Sequence, residues 1–263
     1  MFLKYFNNFL FLSLIIALFW LFNLPLANAE NLVNRVNNYP NWTNKINLPA
    51  PVTEIIYPEW FAGDWQLTNI LIEQIAPLAP NFKTPGFDNN AIYLNQKITF
   101  PVKFTKTVLT NNETNFLPKK INQNTVIIAD RLFNSQSISR AYMGADNIKS
   151  IEINPLNSTE QITTFQENNQ LISSVIGRQQ QNISPNEFLT SELTRQFFRR
   201  VGNIYINFVE TTTKYHLIDD NSIEADQFTA IYLSPQDPNY FSAFDQPVAL
   251  YKYKLILQKD KGQ

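Results

Sequence analysis

The sequence contains no cysteine and a single histidine, His216. The first absence excludes disulfide staples, thiol catalysis and thiolate metal sites, so stability has to come from the core. The second excludes a metal centre built from several imidazoles. Glycine is scarce as well: 6 residues in 263 are too few for a glycine-rich phosphate-binding fold. No excess charge of either sign is present, since 21 Lys and Arg stand against 22 Asp and Glu for a net charge of −1. That balance offers no basic stripe for nucleic acid and no polybasic patch for anionic lipid. No G-x-S-x-G nucleophile elbow occurs. Asp219, Asp220, Glu224 and Asp226 form an acidic run, but they lack the ligand spacing and turn glycine of a calcium loop. The run reads as a solvated loop between strands, and His216 as a solvent-facing residue after a strand. Paired carboxylates for glycoside hydrolysis are defined in space rather than along the chain, and no motif singles out two partners. An enzyme is therefore the least supported class, and neither a metal nor a cofactor is expected.

Aromatic residues are what the chain has in abundance, with 21 Phe, 11 Tyr and 4 Trp. They suit half-buried pleated surfaces. The first 29 residues carry Lys4, an apolar run over 9–22 and the small-residue triplet Ala27-Asn28-Ala29. This is the pattern of an export signal cut after Ala29, and it implies work outside the cytoplasm. Retention of the segment as a membrane anchor is the rival reading, although Asn23, Pro25 and Asn28 break its tail. With no cysteine behind the apolar run, lipid attachment through a thiol is excluded. Residues 30–56 read as a flexible tether, because Pro40, Pro49 and Pro51 interrupt them and no sustained apolar period appears. N-x-S/T sequons occur at Asn41, Asn112, Asn157 and Asn182; they matter only in a glycosylating pathway.

A single β domain is expected over residues 57–259. Strands are predicted over 64–75, 97–106, 125–131, 136–142, 148–154, 161–166, 171–179, 204–213, 223–233 and 248–258. The second alternates Ile98, Phe100, Val102 and Phe104; the last alternates Ala249, Tyr251, Tyr253, Leu255 and Leu257 against Lys252 and Lys254. Pro101 suggests an edge or a bulge in the second. Ser184-Pro185-Asn186-Glu187 resembles a capping box, and Leu189, Leu193 and Phe197 follow at i, i+4 and i+8. That spacing predicts one helix near 185–200. Alternation with one polar face implies antiparallel pairing. Many short strands in series imply a mainly β protein, an antiparallel up-and-down barrel of about 8–10 strands.

Two proline- and aromatic-rich loops, 77–87 and 234–244, read as a lid over an apolar ligand or as a plug of the barrel end. Arg131, Arg140 and Arg178 lie in or beside predicted strands. They read as holding an anionic group inside the barrel or as surface residues with packed stems.

Gly63-Asp64-Trp65 resembles the G-x-W element of lipocalins, in which the Trp plugs the barrel base beneath a stacked Arg; here Lys252 or Lys254 would take the place of that Arg. Longer stretches carry a more specific resemblance. These are Tyr57-Pro58-Glu59-Trp60-Phe61-Ala62-Gly63-Asp64-Trp65, Ala76-Pro77-Leu78-Ala79-Pro80, Thr84-Pro85-Gly86-Phe87, Ala230-Ile231-Tyr232-Leu233-Ser234-Pro235-Gln236-Asp237-Pro238 and Pro247-Val248-Ala249-Leu250-Tyr251. Over residues 57–258 the chain is similar to an uncharacterised family of exported cyanobacterial proteins with chloroplast relatives, catalogued only as a domain of unknown function. The resemblance implies a thylakoid lumen or periplasm and brings no catalytic residues. The expected function is non-enzymatic carriage or sensing of a small apolar molecule, such as a lipid, carotenoid or quinone. The candidate contacts are Trp60, Trp65, Phe87, Arg131, Arg140, Tyr240 and Phe241. An interaction or assembly factor for a photosynthetic membrane complex is the alternative, and an enzyme on the same scaffold the third.

Overall fold

In the computed structural model, residues 31–108, 125–200 and 202–260 are described; the export signal and the sequon at Asn112 lie outside them. Ten strands form one sheet: β1 Gly63–Ile75, β2 Lys97–Val108, β3 Thr125–Ala129, β4 Ile148–Ile153, β5 Glu160–Phe165, β6 Gln170–Ser184, β7 Glu187–Arg200, β8 Asn203–Asp219, β9 Ser222–Leu233 and β10 Ala249–Lys259. Among the described residues three α-helices accompany them: α1 Leu32–Asn37, α2 Arg131–Met143 and α3 Tyr240–Ala243. The strand order is β3-β2-β1-β10-β9-β8-β7-β6-β5-β4, with every neighbouring pair antiparallel. The chain is thus an up-and-down meander whose first and last strands pair, Trp65 opposite Lys259 and Ile75 opposite Leu250. The sheet curls into a half-barrel, consistent with the lipocalin-like barrel expected from the alternation. Helix α2 connects the edge strands β3 and β4 in sequence and packs against β2 and β4, on the two sides of the gap.

Aromatic rings fill one end of the interior. Trp65 and Phe61 are fully buried with Phe104, Phe188, Ile223 and Leu257. Phe61 lies 4.8 Å from Tyr57, 4.8 Å from Phe104 and 5.0 Å from Tyr215, centroid to centroid, and Trp60 stacks on it at 4.2 Å. Trp65 Nε1 donates to the Phe61 carbonyl at 2.7 Å, so the indole is buried with its one donor satisfied. The cation over this indole is Lys259, whose Nζ sits 5.3 Å from the ring centroid. It is neither of the two lysines expected there. Lys252 lies over Phe228 and Lys254 pairs with Glu224, both on the other face of β10.

Three expectations are corrected. Residues 187–200 form strand β7 and not a helix. Ser184 pairs with Glu187, so Pro185 and Asn186 are the two residues of a hairpin turn. The spacing i, i+4, i+8 fits a strand as well as a helix, since all three positions share one face of a pleat. Leu189 and Leu193 are buried on one face of β7, Phe188 and Thr190 on the other. A strand covered on both faces loses the alternation that identifies it. Residues 136–142, expected as a strand, lie within α2. Asp130 caps that helix by accepting from Phe133 N at 3.0 Å, and Gly144, at φ 80°, ends it.

The third correction concerns residues 31–56, expected as a tether. They form a strap across the sheet. Asn31 caps α1, and Leu32, Trp42 and Ile46 are buried against Leu189, Leu193, Phe228, Ala230, Tyr232 and Leu250 on the outer face. Beneath α1, Arg35 donates from Nε and Nη2 to the two oxygens of Glu210, at 2.8 and 2.6 Å. Tyr232 O–H donates to Glu210 Oε2 at 2.7 Å, and Thr212 to Oε1 at 3.2 Å. Trp42 covers the guanidinium at 4.0 Å. Arg35 and Glu210 are 4 and 0 % exposed, so this pair has full partners in a dry site.

The strap crosses β6 at Gly177, where an added Cβ would lie 2.8 Å from that of Leu48. β5 pairs with β6 only over residues 170–174. Beyond them the strap occupies the open edge: Arg178 N donates to the Pro49 carbonyl at 2.9 Å, and the Gln180 amide holds both backbone groups of Ile56, at 2.7 and 3.1 Å. Tyr57 then bridges to Ile127 of β3. The strap therefore spans the gap between β3 and the lower half of β6.

Truncating the plug, Trp65→Ala, is expected to cost about 3–5 kcal/mol; a melting temperature unchanged within about a degree contradicts the plug role. Arg35→Met is expected to destabilise by about 3–5 kcal/mol, because it strands a buried carboxylate. The double variant Arg35→Met, Glu210→Leu is expected to recover most of that loss in denaturant titration, and equal losses in single and double variants contradict the assignment.

Candidate functional site

The plug leaves the other end of the interior unfilled. A cavity of about 680 Å³ lies there between the inner face of β7–β10 and the loop after β1. Its floor comes from alternate residues of four strands: Phe198 of β7, Tyr205 and Asn207 of β8, Thr229 and Ile231 of β9, Tyr251 and Tyr253 of β10. The pleat places them together, because every second residue of a strand faces the same side. Thr84, Pro85, Gly86, Asn89 and Asn90 form the roof. Gly86 takes φ +82°, a left-handed turn that L side chains resist, although a Cβ there would meet nothing within 4 Å.

The roof is held by specific bonds. Asn90 Nδ2 donates to the Tyr251 hydroxyl at 3.0 Å, and Gln74 Nε2 donates to the Phe87 carbonyl at 2.5 Å. Thr84 and the Tyr205 hydroxyl lie 3.4 Å apart. Asn95 N donates to the Leu71 carbonyl at 2.8 Å, returning the loop to the sheet. The phenols below are kept neutral: burial pushes the Tyr253 hydroxyl well up, and it raises Tyr251 as well, against the lowering effect of the Asn90 bond. Asn207 is only 6 % exposed, and its Oδ1 has no hydrogen-bond partner. Among the described residues of the lining, Arg200, which is exposed, is the one that carries a charge.

The half-open cavity can receive an apolar body of modest size and meet it with neutral polar groups. Among the described residues no three metal-ligating side chains converge, and no helix is long and apolar enough to cross a membrane.

The seven residues singled out in the sequence are not brought together. Trp60 and Trp65 belong to the plug at the opposite end. Phe87 packs on Tyr251, centroids 6.0 Å apart, and so sits directly behind the roof. Arg131 starts α2 and contacts Glu54 at 3.4 Å, while Arg140 occupies the last turn of that helix. Arg178 reaches the same Glu54, at 3.1 Å, and Glu192, at 2.7 Å, so Arg131 and Arg178 tie the strap to the barrel wall. Tyr240 and Phe241 lie on α3, beside a second hollow of about 450 Å³ lined by Leu78, Phe82, Asn239 and Ser242. Phe241 itself is 86 % exposed. Of the two loops expected to cover a ligand, the first forms the roof.

The floor was missed for identifiable reasons. Phe198 lay in the segment read as a helix. Tyr251 and Tyr253 share one face of β10, as their alternation implies, but nothing in the sequence sets them apart from Leu255 and Leu257 on that face. Asn207 carries a signal of its own, as the amide in the inward row Tyr205, Asn207, Val209.

No curated protein and no solved structure matches the chain. A family model described as a domain of unknown function, DUF6816, matches residues 50–261, from the strap's crossing of β6 through the whole barrel. The chain belongs to this family of domains of unknown function.

Proposed function

We propose that this chain is a non-enzymatic binding protein that holds one small, mainly apolar molecule at the unplugged end of its barrel. The observation that carries this reading is the cavity of about 680 Å³ under a hydrogen-bonded roof. Its size falls within the range of about 300–1,000 Å³ occupied by small-molecule sites. Sheet residues hold its floor and the plug closes its far end, so the site is built into the scaffold. Lipids, carotenoids and quinones are the classes this shape admits. In this reading the export signal places the protein in a periplasm or thylakoid lumen, and the sequence of the purified protein is expected to begin at Glu30.

A second reading, an interaction factor for a membrane complex, draws on Phe241 and Phe244, which are 86 and 60 % exposed at the same end of the sheet. Under that reading Phe241→Ser abolishes complex capture and leaves small-molecule binding untouched.

The binding reading is tested with Nile red, a neutral apolar dye. One dye per chain is expected to bind with enhanced emission, and Thr229→Trp, which fills the floor of the cavity, is expected to abolish the signal while the far-ultraviolet circular dichroism stays the same. Absence of binding, or binding undiminished in Thr229→Trp, contradicts it.

A further inference from the structure

We propose that the cavity selects an elongated molecule with an extended π system, a conjugated polyene or linked aromatic rings, over a saturated molecule of the same size. Two pairs of rings, Phe198 with Tyr205 and Tyr251 with Tyr253, make the selection. The inference rests on the binding reading above and narrows its ligand class.

Aromatic rings supply most of the apolar wall. Among the described strand residues of the lining, Ile231 is the one aliphatic side chain. Phe198 and Tyr205 are direct partners across β7 and β8, with centroids 6.0 Å apart. Tyr251 and Tyr253 follow one another on the inner face of β10, 6.4 Å apart. Phe198, Tyr205 and Tyr253 are each half-buried and line the cavity, so an occupant can reach them. Tyr251 is buried deeper, between the Asn90 bond and Phe87.

Register sets the separation of the two pairs. Tyr251 lies opposite Thr229, and Thr229 opposite Thr211, six residues along β8 from Tyr205. At about 3.4 Å per residue, the pairs are offset by about 20 Å along the strands. The roof follows the same line. Thr84 stands 3.4 Å from the Tyr205 hydroxyl towards one end, and Asn90 donates to that of Tyr251 towards the other. The cavity is therefore long for its volume of about 680 Å³. A compact ring system meets one pair, and an extended one meets both. Each ring contact contributes about two- to tenfold in affinity beyond the area it buries. A saturated chain of equal length covers the same area without that gain.

The test is displacement of Nile red from the full chain by 1,6-diphenylhexatriene, 1,6-dicyclohexylhexane and pyrene. All three are uncharged hydrocarbons. The first two share a carbon skeleton and differ in unsaturation, while pyrene is planar but compact. On the unsubstituted protein diphenylhexatriene is expected to displace the dye at about one-tenth the concentration that either of the others requires. Phe198→Leu and Tyr253→Leu each replace a ring of one pair by an aliphatic chain. Each is expected to narrow the advantage over dicyclohexylhexane to about threefold, with the far-ultraviolet circular dichroism unchanged. Equal displacement by the conjugated and the saturated compound on the unsubstituted protein overturns the inference, as does pyrene acting as well as diphenylhexatriene. An advantage that survives intact in both variants removes these rings from the role. Should a variant not fold, the ratios on the unsubstituted protein decide alone. Failure of Nile red to bind at all overturns the binding reading, a result distinct from the others.

Discussion

The pairing of β1 with β10 is the constraint on which the rest of the structure depends. It joins the start and end of a ten-strand meander, so strands far apart in sequence face one another across an interior. Trp65 on β1, Phe188 on β7 and Ile223 on β9 can then share one plug. The closure is completed by parts other than strands. Helix α2 stands at the gap between β3 and β4, and the strap runs from the open edge of β6 to Ile127 of β3. Long-range pairing of this kind is costly in loop entropy before its contacts form. The buried strap and the plug, each joining distant segments, offset that cost.

The two faces of the β7–β10 region divide the work. The outer face is spent on the strap, with the Arg35–Glu210 pair at its centre. The inner face carries the plug at one end and the cavity at the other. A buried ion pair of this kind stabilises little relative to a well-packed apolar pair, and its clearest use is to specify a unique arrangement. Here the fork of Arg35 fits Glu210, Tyr232 and the Asn44 carbonyl together, which fixes where α1 lies along β8 and β9. Register on the outer face in turn fixes register on the inner one, since a slip of one residue exchanges the faces of a strand. Asn207 faces the cavity because Glu210 and Phe208 face the strap.

Much of this was legible in the sequence. Strands with one solvated face, such as β2 with Phe100, Val102 and Phe104 and β10 with its tyrosines and leucines, stand in the structure as their alternation implied. The barrel class followed from them. The elements that misled are those whose neighbours are not local. β7 is buried on both faces, so its apolar residues fit two periods at once. α2 spreads Leu132, Ile138 and Met143 around its axis, each about two-fifths exposed, and presents no apolar stripe. The strap owes its order to partners some 170 residues away, the separation of Arg35 from Glu210 being 175. A buried Arg reads as a surface residue until its carboxylate is known. The candidate site suffered in the same way: the roof was visible as a loop rich in proline and aromatics, whereas the floor needed four strands in register.

The central claim is that the unplugged end of the barrel is the working part and holds a neutral, mainly apolar molecule. Native mass spectrometry of the chain isolated from its own cells, followed by solvent extraction of the complex, tests it most directly. The account predicts a mass excess of one small molecule per chain, lost on Thr229→Trp and identified after extraction as an uncharged, mainly apolar compound. A chain carrying no additional mass under conditions that preserve its fold, or an extract containing only charged compounds, would contradict it.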